Sequence, residues 1–244
     1  MSILAVDAGN SRIKWGLWEG GRWSRQDSVA TDEVARLANA WAALAPPRHV
    51  IACSVAGAQV SEWLDRWARS QGLTLRWVTS QREQCGVRNG YREPAQLGAD
   101  RWAALIGVRD LLEGAAVVVN AGTAVTIDAL TQEGEFLGGV IVPGLHLMAE
   151  ALTRGTAGLP RAGGTFAQFP GNTADAIATG AMQSVCGAVE RMERALAAQG
   201  VEPQILLSGG AARAISSHLE RPARVIPNLV LEGLRVIAAH EWGG

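Results

Sequence analysis

The chain has little to oxidise, to chelate with or to insert in a membrane. Its three cysteines, Cys53, Cys85 and Cys186, are widely spaced and odd in number. They contain no C-x-x-C pair, which argues against a disulfide framework or a cysteine zinc site. His49, His146, His218 and His240 also lack metal-ligand spacing. No apolar run approaches the roughly 20 residues of a membrane span, and the first residues enter a strand with no basic flank, so a cytoplasmic location is expected. A formal net charge of −1 gives no reason to expect nucleic acid or an anionic membrane as partner. No G-x-x-x-x-G-K-[ST] occurs, and no G-x-G-x-x-G opens a helix. Nine tryptophans outnumber one tyrosine and three phenylalanines. Trp63 and Trp67, four apart on a predicted helix, read as core or interface anchors and not as a base-stacking platform.

What the chain does have is one short pattern used twice. Val6-Asp7-Ala8-Gly9-Asn10-Ser11 is echoed by Val119-Asn120-Ala121-Gly122-Thr123-Ala124. In both, an apolar strand delivers a carboxylate or carboxamide, then a glycine, then a small hydroxyl residue, into a tight turn that a second strand leaves. Glycine admits close approach to a ligand, and successive N–H groups in such a turn form a nest for phosphate oxygens. Two such nests suit a polyphosphate.

The periodicities predict two lobes of similar plan, 1–112 and 113–244. In the first, strands near Ile3–Val6, Arg12–Trp18 and Arg22–Val29, the last two joined at Gly20-Gly21, precede a helix capped at Thr31 and running to Leu44. Strand His49–Ser54, helix Val60–Ser70 and strand Leu73–Val78 follow. A polar connection, Ser80–Gln96, leads to a helix over Ala99–Leu112. In the second lobe, strands Val117–Val119, Val125–Leu130 and Phe136–Val142 precede a helix after Pro143-Gly144. A loop over 155–171, a long helix Thr173–Ala198, strand Gln204–Ser208, a Gly209-Gly210 turn into a helix and a terminal helix Asn228–His240 complete it. The repeat is a duplication, not a solenoid.

An ionised Asp7 at the end of a buried strand needs partners, such as a hydrated Mg²⁺ or turn N–H groups. Asn10 tolerates unusual backbone angles, Ser11 adds a donor, and Lys14 lies in reach of a phosphate; the alternative is an ordinary Asx turn, and the echo at Asn120–Thr123 favours the nucleotide. Gly98-Ala99-Asp100-Arg101 opens a helix, where unpaired N–H groups and the positive helix end favour an anion. The alternative is that Asp100 is simply a helix-start acid paired with Arg101.

These residues resemble a known family. The Asp7-to-Ser11 strand-turn-strand, its counterpart Ala121–Ala124 with Thr126 and Asp128, and Ser208-Gly209-Gly210 before a helix are similar to the phosphate and adenosine elements of the acetate and sugar kinase/heat-shock chaperone/actin superfamily. Within it the chain resembles the type III pantothenate kinases. Asn89-Gly90-Tyr91 with Pro94, Leu97–Arg101, Gly138-Gly139 with Pro143-Gly144, Thr156-Ala157 with Leu159-Pro160, and Gly171-Asn172-Thr173 with Ala176 and Gly180 carry that likeness.

The resemblance implies an α/β fold of two duplicated ribonuclease H-like (actin-like ATPase) lobes, each a mixed sheet with flanking helices, and a cleft between them. It implies ATP-dependent phosphorylation of pantothenate, with Mg²⁺, a monovalent cation (K⁺ or NH₄⁺) and a homodimer, towards which the apolar Met182, Val185, Val189 and Met192 also point weakly. Asp100 inherits the role of general base. Gly98, Ala99, Asp100, Arg101, Tyr91 and Thr173 inherit substrate binding, and the Thr matching Thr173 can come from the neighbouring subunit in related dimers. Asp7, Ala8, Gly9, Asn10, Ser11, Arg12, Ile13, Lys14, Gly122, Thr123, Gly209 and Gly210 inherit ATP binding, with Asp7 holding Mg²⁺ directly or through water. Asn120 is a departure, because the family commonly carries Asp there, in the monovalent-cation site. The amide keeps an oxygen ligand and deletes a charge. Two other readings are a kinase of another small hydroxyl substrate, such as a sugar, and a catalytically silent nucleotide-binding accessory protein.

Overall fold

The computed structural model describes residues 2–155 and 163–243; the Thr156-Ala157 and Leu159-Pro160 motif lies outside them. The chain divides into two compact units, one comprising Met1–Glu113, Gly134–Phe136 and Asn228–Gly244, the other Gly114–Glu133 and Leu137–Pro227.

The first unit opens with β1 (Ser2–Ala8), β2 (Arg12–Glu19) and β3 (Arg22–Ala30), followed by a 3₁₀ turn at Thr31–Glu33. Then come α1 (Arg36–Ala42), β4 (His49–Ser54), α2 (Ala58–Ser70), β5 (Leu75–Trp77), a small hairpin of β6 (Glu83–Gln84) and β7 (Val87–Asn89), and α3 (Ala99–Leu111). The sheet order is β3-β2-β1-β4-β5. β1 runs antiparallel to β2 and parallel to β4.

Alternation along β1 decides what each face does. Leu4, Val6 and Ala8 pack with Ile13, Trp15, Val50 and Ala52 against Leu37, Trp41, Val60 and Leu64 of α1 and α2. Trp63 and Trp67 close over the same cluster, with the Trp41 and Trp67 ring centroids 4.4 Å apart, so their anchoring role holds. Ile3, Ala5 and Asp7 point to the opposite face.

The second unit contains β8 (Ala116–Ala121), β9 (Ala124–Leu130), most of β10 (Glu135–Pro143), α4 (Leu145–Gly155), α5 (Thr173–Ala197), β11 (Gln204–Ser208), α6 (Ala212–Ser216) and β12 (Ala223–Val225). Its strands follow the order β10-β9-β8-β11-β12. That is the third-second-first-fourth-fifth arrangement of the first unit, so the fold is a duplicated mixed-sheet α/β plan. Val117, Val119, Ile127, Ile205 and Leu207 pack against Met182, Val185 and Val189 of α5. These α5 side chains are buried in the unit's own core, with the partly buried Met192 packed against it.

The terminal helix α7 (Leu229–Trp242) packs on α3 within the first unit, not among the second-lobe elements that precede it in sequence. Two glycines make this possible. A Cβ on Gly107 would lie 2.8 Å from the Leu229 carbonyl, and one on Gly233 would overlap the Ala103 carbonyl.

Other local expectations differ from the structure. α1 starts at Arg36, because Thr31 spends its hydroxyl and N–H on the Gly9–Ser11 turn instead of capping a helix. The Ser80–Gln96 connection holds the β6–β7 hairpin, turned by Cys85 and Gly86 at φ 48° and 76°. Polar strands of two or three residues carry no readable alternation. Among the described residues no helix is long and apolar enough to cross a membrane.

Candidate active site

Asp7 ends the inward run of β1, and strand register sets its neighbours. Lys14 of β2 and Cys53 of β4 are its direct cross-strand partners. Lys14 Nζ lies 4.0 Å from Asp7 Oδ2, and the Cys53 thiol donates to Oδ1 across 3.8 Å. Burial pushes the Asp7 carboxyl up to about 6, more than Lys14 and the thiol pull it down, and the charge of Asp100 adds to the rise. The same burial, together with Asp7 and Asp100, holds the Cys53 thiol far above its usual range.

The turn after Asp7 is tightly tied. Gly9 N–H donates to the Arg12 carbonyl at 3.1 Å, and a Cβ on Gly9 would sit 3.0 Å from that same oxygen. Close approach, not a left-handed backbone, selects glycine here, and Asn10 has no positive φ either. Asn10, Ser11 and Arg12 are exposed. The Arg12 guanidinium is held by Ser28 Oγ at 2.7 and 3.1 Å. Ile13 is fully buried, so it brings only its backbone to the turn.

Asp100 stands in the first turn of α3, with Gly98 at the N-cap. Its Oδ1 accepts the backbone N–H of Arg101 at 2.9 Å, and a Cβ on Gly98 would lie 2.6 Å from that oxygen. Arg101 is 4% exposed, an unusual depth for a guanidinium. Its Nη1 donates to the Tyr91 hydroxyl at 3.2 Å, and its Cζ lies 5.7 Å from both the Tyr91 and Phe136 ring centroids. The two rings are 5.1 Å apart. Tyr91 is fixed through its N–H to Asn89 Oδ1, and buried Asn89 in turn donates to the Pro94 carbonyl. The first unit therefore unites Asp7, Lys14, Asp100, Arg101 and Tyr91.

In the second unit, Asn120 is half-buried, directly opposite Thr126 on β9 and Ser208 on β11. The row repeats the Asp7, Lys14 and Cys53 arrangement with an amide and two hydroxyls. Gly122 N–H donates to the Ala124 carbonyl, and Gly144 N–H to that of Thr123. A Cβ on Gly144 would overlap the Gly122 carbonyl, and one on Gly209, at φ 97°, the Ala121 carbonyl. Gly210 is exposed. Thr173 is also exposed, at the start of α5, beside the N-cap Asn172, whose side chain accepts the Asp175 N–H.

Three residues touch this site without having been read as part of it. Cys53 reads as structural until strand pairing places it beside Asp7, Phe136 is a strand start until β10 pairs with β7, and Thr31 looks like a helix cap. Among the described residues no cluster of three or more His, Cys, Asp or Glu could hold a metal ion.

A family model described as Type III pantothenate kinase matches residues 3–195. The Type III pantothenate kinase of Nitrosospira multiformis is 45% identical over 241 residues, covering 97% of this chain and 90% of its own. That of Aromatoleum aromaticum is 46% identical over 239 residues, covering 98% of each. Among solved structures, a Sinorhizobium meliloti protein described as a candidate 2-dehydro-3-deoxygalactonokinase matches with a TM-score of 0.65 at 18% identity, covering 98% of this chain and 99% of that one. At that identity the likeness is one of fold.

Proposed function

We infer a phosphoryl transfer from ATP to pantothenate, because this chain belongs to the type III pantothenate kinase family. The product is 4′-phosphopantothenate, the entry to coenzyme A. One observation in the first unit carries the reading: a buried carboxylate, Asp7, and a second one, Asp100, near enough to raise its pKa, with buried Arg101 following on the same helix.

Phosphoryl transfer passes through a loose transition state, so positioning and charge neutralisation dominate. Asp100 accepts the hydroxyl proton of pantothenate as that oxygen bonds to the γ-phosphorus. The bond to the β-phosphate oxygen breaks and ADP leaves. Arg101 and Tyr91, with Gly98 and Ala99 at the helix mouth, hold the acceptor, and Thr173 is assigned to the same substrate. The Gly9–Ser11 turn and Lys14 bind phosphate, and Gly122, Thr123, Gly209 and Gly210 are assigned to the nucleotide.

Asp7 fits a divalent cation: its ionisation is opposed by burial, Lys14 stands at 4.0 Å, and Oδ1 accepts only a weak, long hydrogen bond from the Cys53 thiol among the described residues. Mg²⁺ held there, directly or through water, supplies charge neutralisation for the phosphates. Asn120, Thr126 and Ser208 offer neutral oxygens, which fit a weakly held monovalent cation.

A homodimer fits the exposed apolar residues of β10 and α4, where Ile141 is 61% and Leu152 45% exposed. Three free cysteines suit a reducing cytoplasm.

The deciding experiment is pantothenate-dependent ADP release, with and without K⁺. ATP binding without that release points to a silent accessory protein, and release only with another alcohol points to a different kinase.

A further inference from the structure

Thr31 bonds to both ends of the Gly9–Ser11 turn. Its hydroxyl donates to the Gly9 carbonyl at 2.8 Å, and its backbone N–H to the Ser11 carbonyl at 3.1 Å. Every described peptide bond is trans, so in each peptide plane the carbonyl and the next N–H point in opposite directions. Turning the Gly9 and Ser11 carbonyls onto Thr31 therefore turns the N–H groups of Asn10 and Arg12 away from it. A carbonyl rotated the other way would set a negative dipole against an incoming phosphate. The neighbouring carbonyls are also engaged from within the protein: Ala8 by Val55 N–H at 2.9 Å and Arg12 by Gly9 N–H at 3.1 Å.

We propose that Thr31 is a positioning residue for nucleotide binding, a clamp that fixes the Gly9–Ser11 turn with its carbonyls averted and its N–H groups presented to phosphate. This rests on the reading of that turn as a nucleotide site. Thr31 itself touches no phosphate; it acts through the peptide planes. The 3₁₀ turn at Thr31–Glu33 and the late start of α1 follow from the same commitment of Thr31 to the turn.

The test compares Thr31→Val, which keeps the shape and deletes the hydroxyl, with Thr31→Ser, which keeps the hydroxyl. Calorimetry measures affinity for the non-hydrolysable analogue AMP-PNP, and steady-state kinetics measures KM for ATP and for pantothenate. Thr31→Val weakens AMP-PNP binding and raises KM for ATP about fivefold, the scale of one neutral hydrogen bond. KM for pantothenate stays unchanged, and Thr31→Ser restores nucleotide affinity. Should Thr31→Val not fold, Thr31→Ala against Thr31→Ser decides by the same readouts. Equal nucleotide affinity with and without the hydroxyl overturns the proposal, and so does an equal rise in both KM values, which marks a general structural role. A wild-type chain that binds AMP-PNP but phosphorylates no pantothenate sinks the substrate assignment alone, and the variants still decide the clamp. A wild-type chain that binds no nucleotide removes both.

Discussion

Lys14 faces Asp7 across the first two strands, yet its Nζ stays 4.0 Å from the nearer carboxylate oxygen. The gap leaves burial in control, and the carboxyl titrates at about 6 instead of 3.8. Between those values the folded chain binds a proton that the unfolded chain has released. The ligand-free protein therefore loses stability as pH rises through that window, by at most about 3 kcal/mol. Asp7→Asn is expected to raise Tm at pH 7.5 while lowering kcat at least ~100-fold, a strained site traded for stability. MgATP should stabilise the wild type in thermal melts more than the variant. In the wild type, kcat/KM for ATP should fall with unit slope below about pH 6, as Asp7 is protonated.

Asp100, in the first turn of α3 and followed by the buried Arg101, is the proposed general base. Asp100→Asn keeps the size and removes the proton acceptor. Single-turnover and steady-state rates should drop by roughly 10²-fold or more, with little change in ATP affinity. An unaltered turnover number removes Asp100 from the mechanism.

Arg101 owes its position to two rings as well as to the Tyr91 hydroxyl. Phe136→Leu deletes one aromatic wall and one cation–π contact, worth about 0.5–2 kcal/mol. The expected result is a rise in KM for pantothenate of roughly two- to tenfold, with KM for ATP unchanged. A fall in kcat alone would show that the ring does not act through substrate binding.

Much of this was legible in the residues, and what was not has a physical reason. Asp7 is legible because an ionised carboxylate at the end of a buried strand needs partners, and Asn120 because it repeats the Asp7 pattern. Asp100 was visible because a helix mouth is a local feature. Cys53 became part of the site only through the parallel pairing of β1 with β4, which no local pattern specifies. Phe136 meets Tyr91 through pairing between strands far apart in sequence. Thr31 carries a genuine capping signal that tertiary hydrogen bonds override. The apolar Met182, Val185 and Val189 of α5 cover the sheet of their own unit, which helical spacing alone does not distinguish from a dimer face.

With the α5 stripe buried, the exposed apolar residues of β10 and α4 form the proposed dimer face. Ile141, 61% exposed, is the probe. Ile141→Asp should shift the sedimentation profile from dimer to monomer while leaving the far-UV spectrum intact, since charged residues are excluded from interface centres. A dimer that survives the change uses another surface.

Asn120 stands in the row with Thr126 and Ser208, where the family resemblance leads one to expect a carboxylate. An amide oxygen can still coordinate a monovalent ion, but the missing charge removes most of the Coulombic attraction, which at close range in a protein amounts to about 4 kcal/mol between unit charges. KCl titrated at constant ionic strength should activate this enzyme only weakly or at high concentration. Asn120→Asp should lower the half-activating concentration at least several-fold without altering KM for pantothenate. Tight, absolute dependence of the wild type on K⁺ would show that neutral oxygens hold the ion unaided, and the substitution would then have no bearing on cation use.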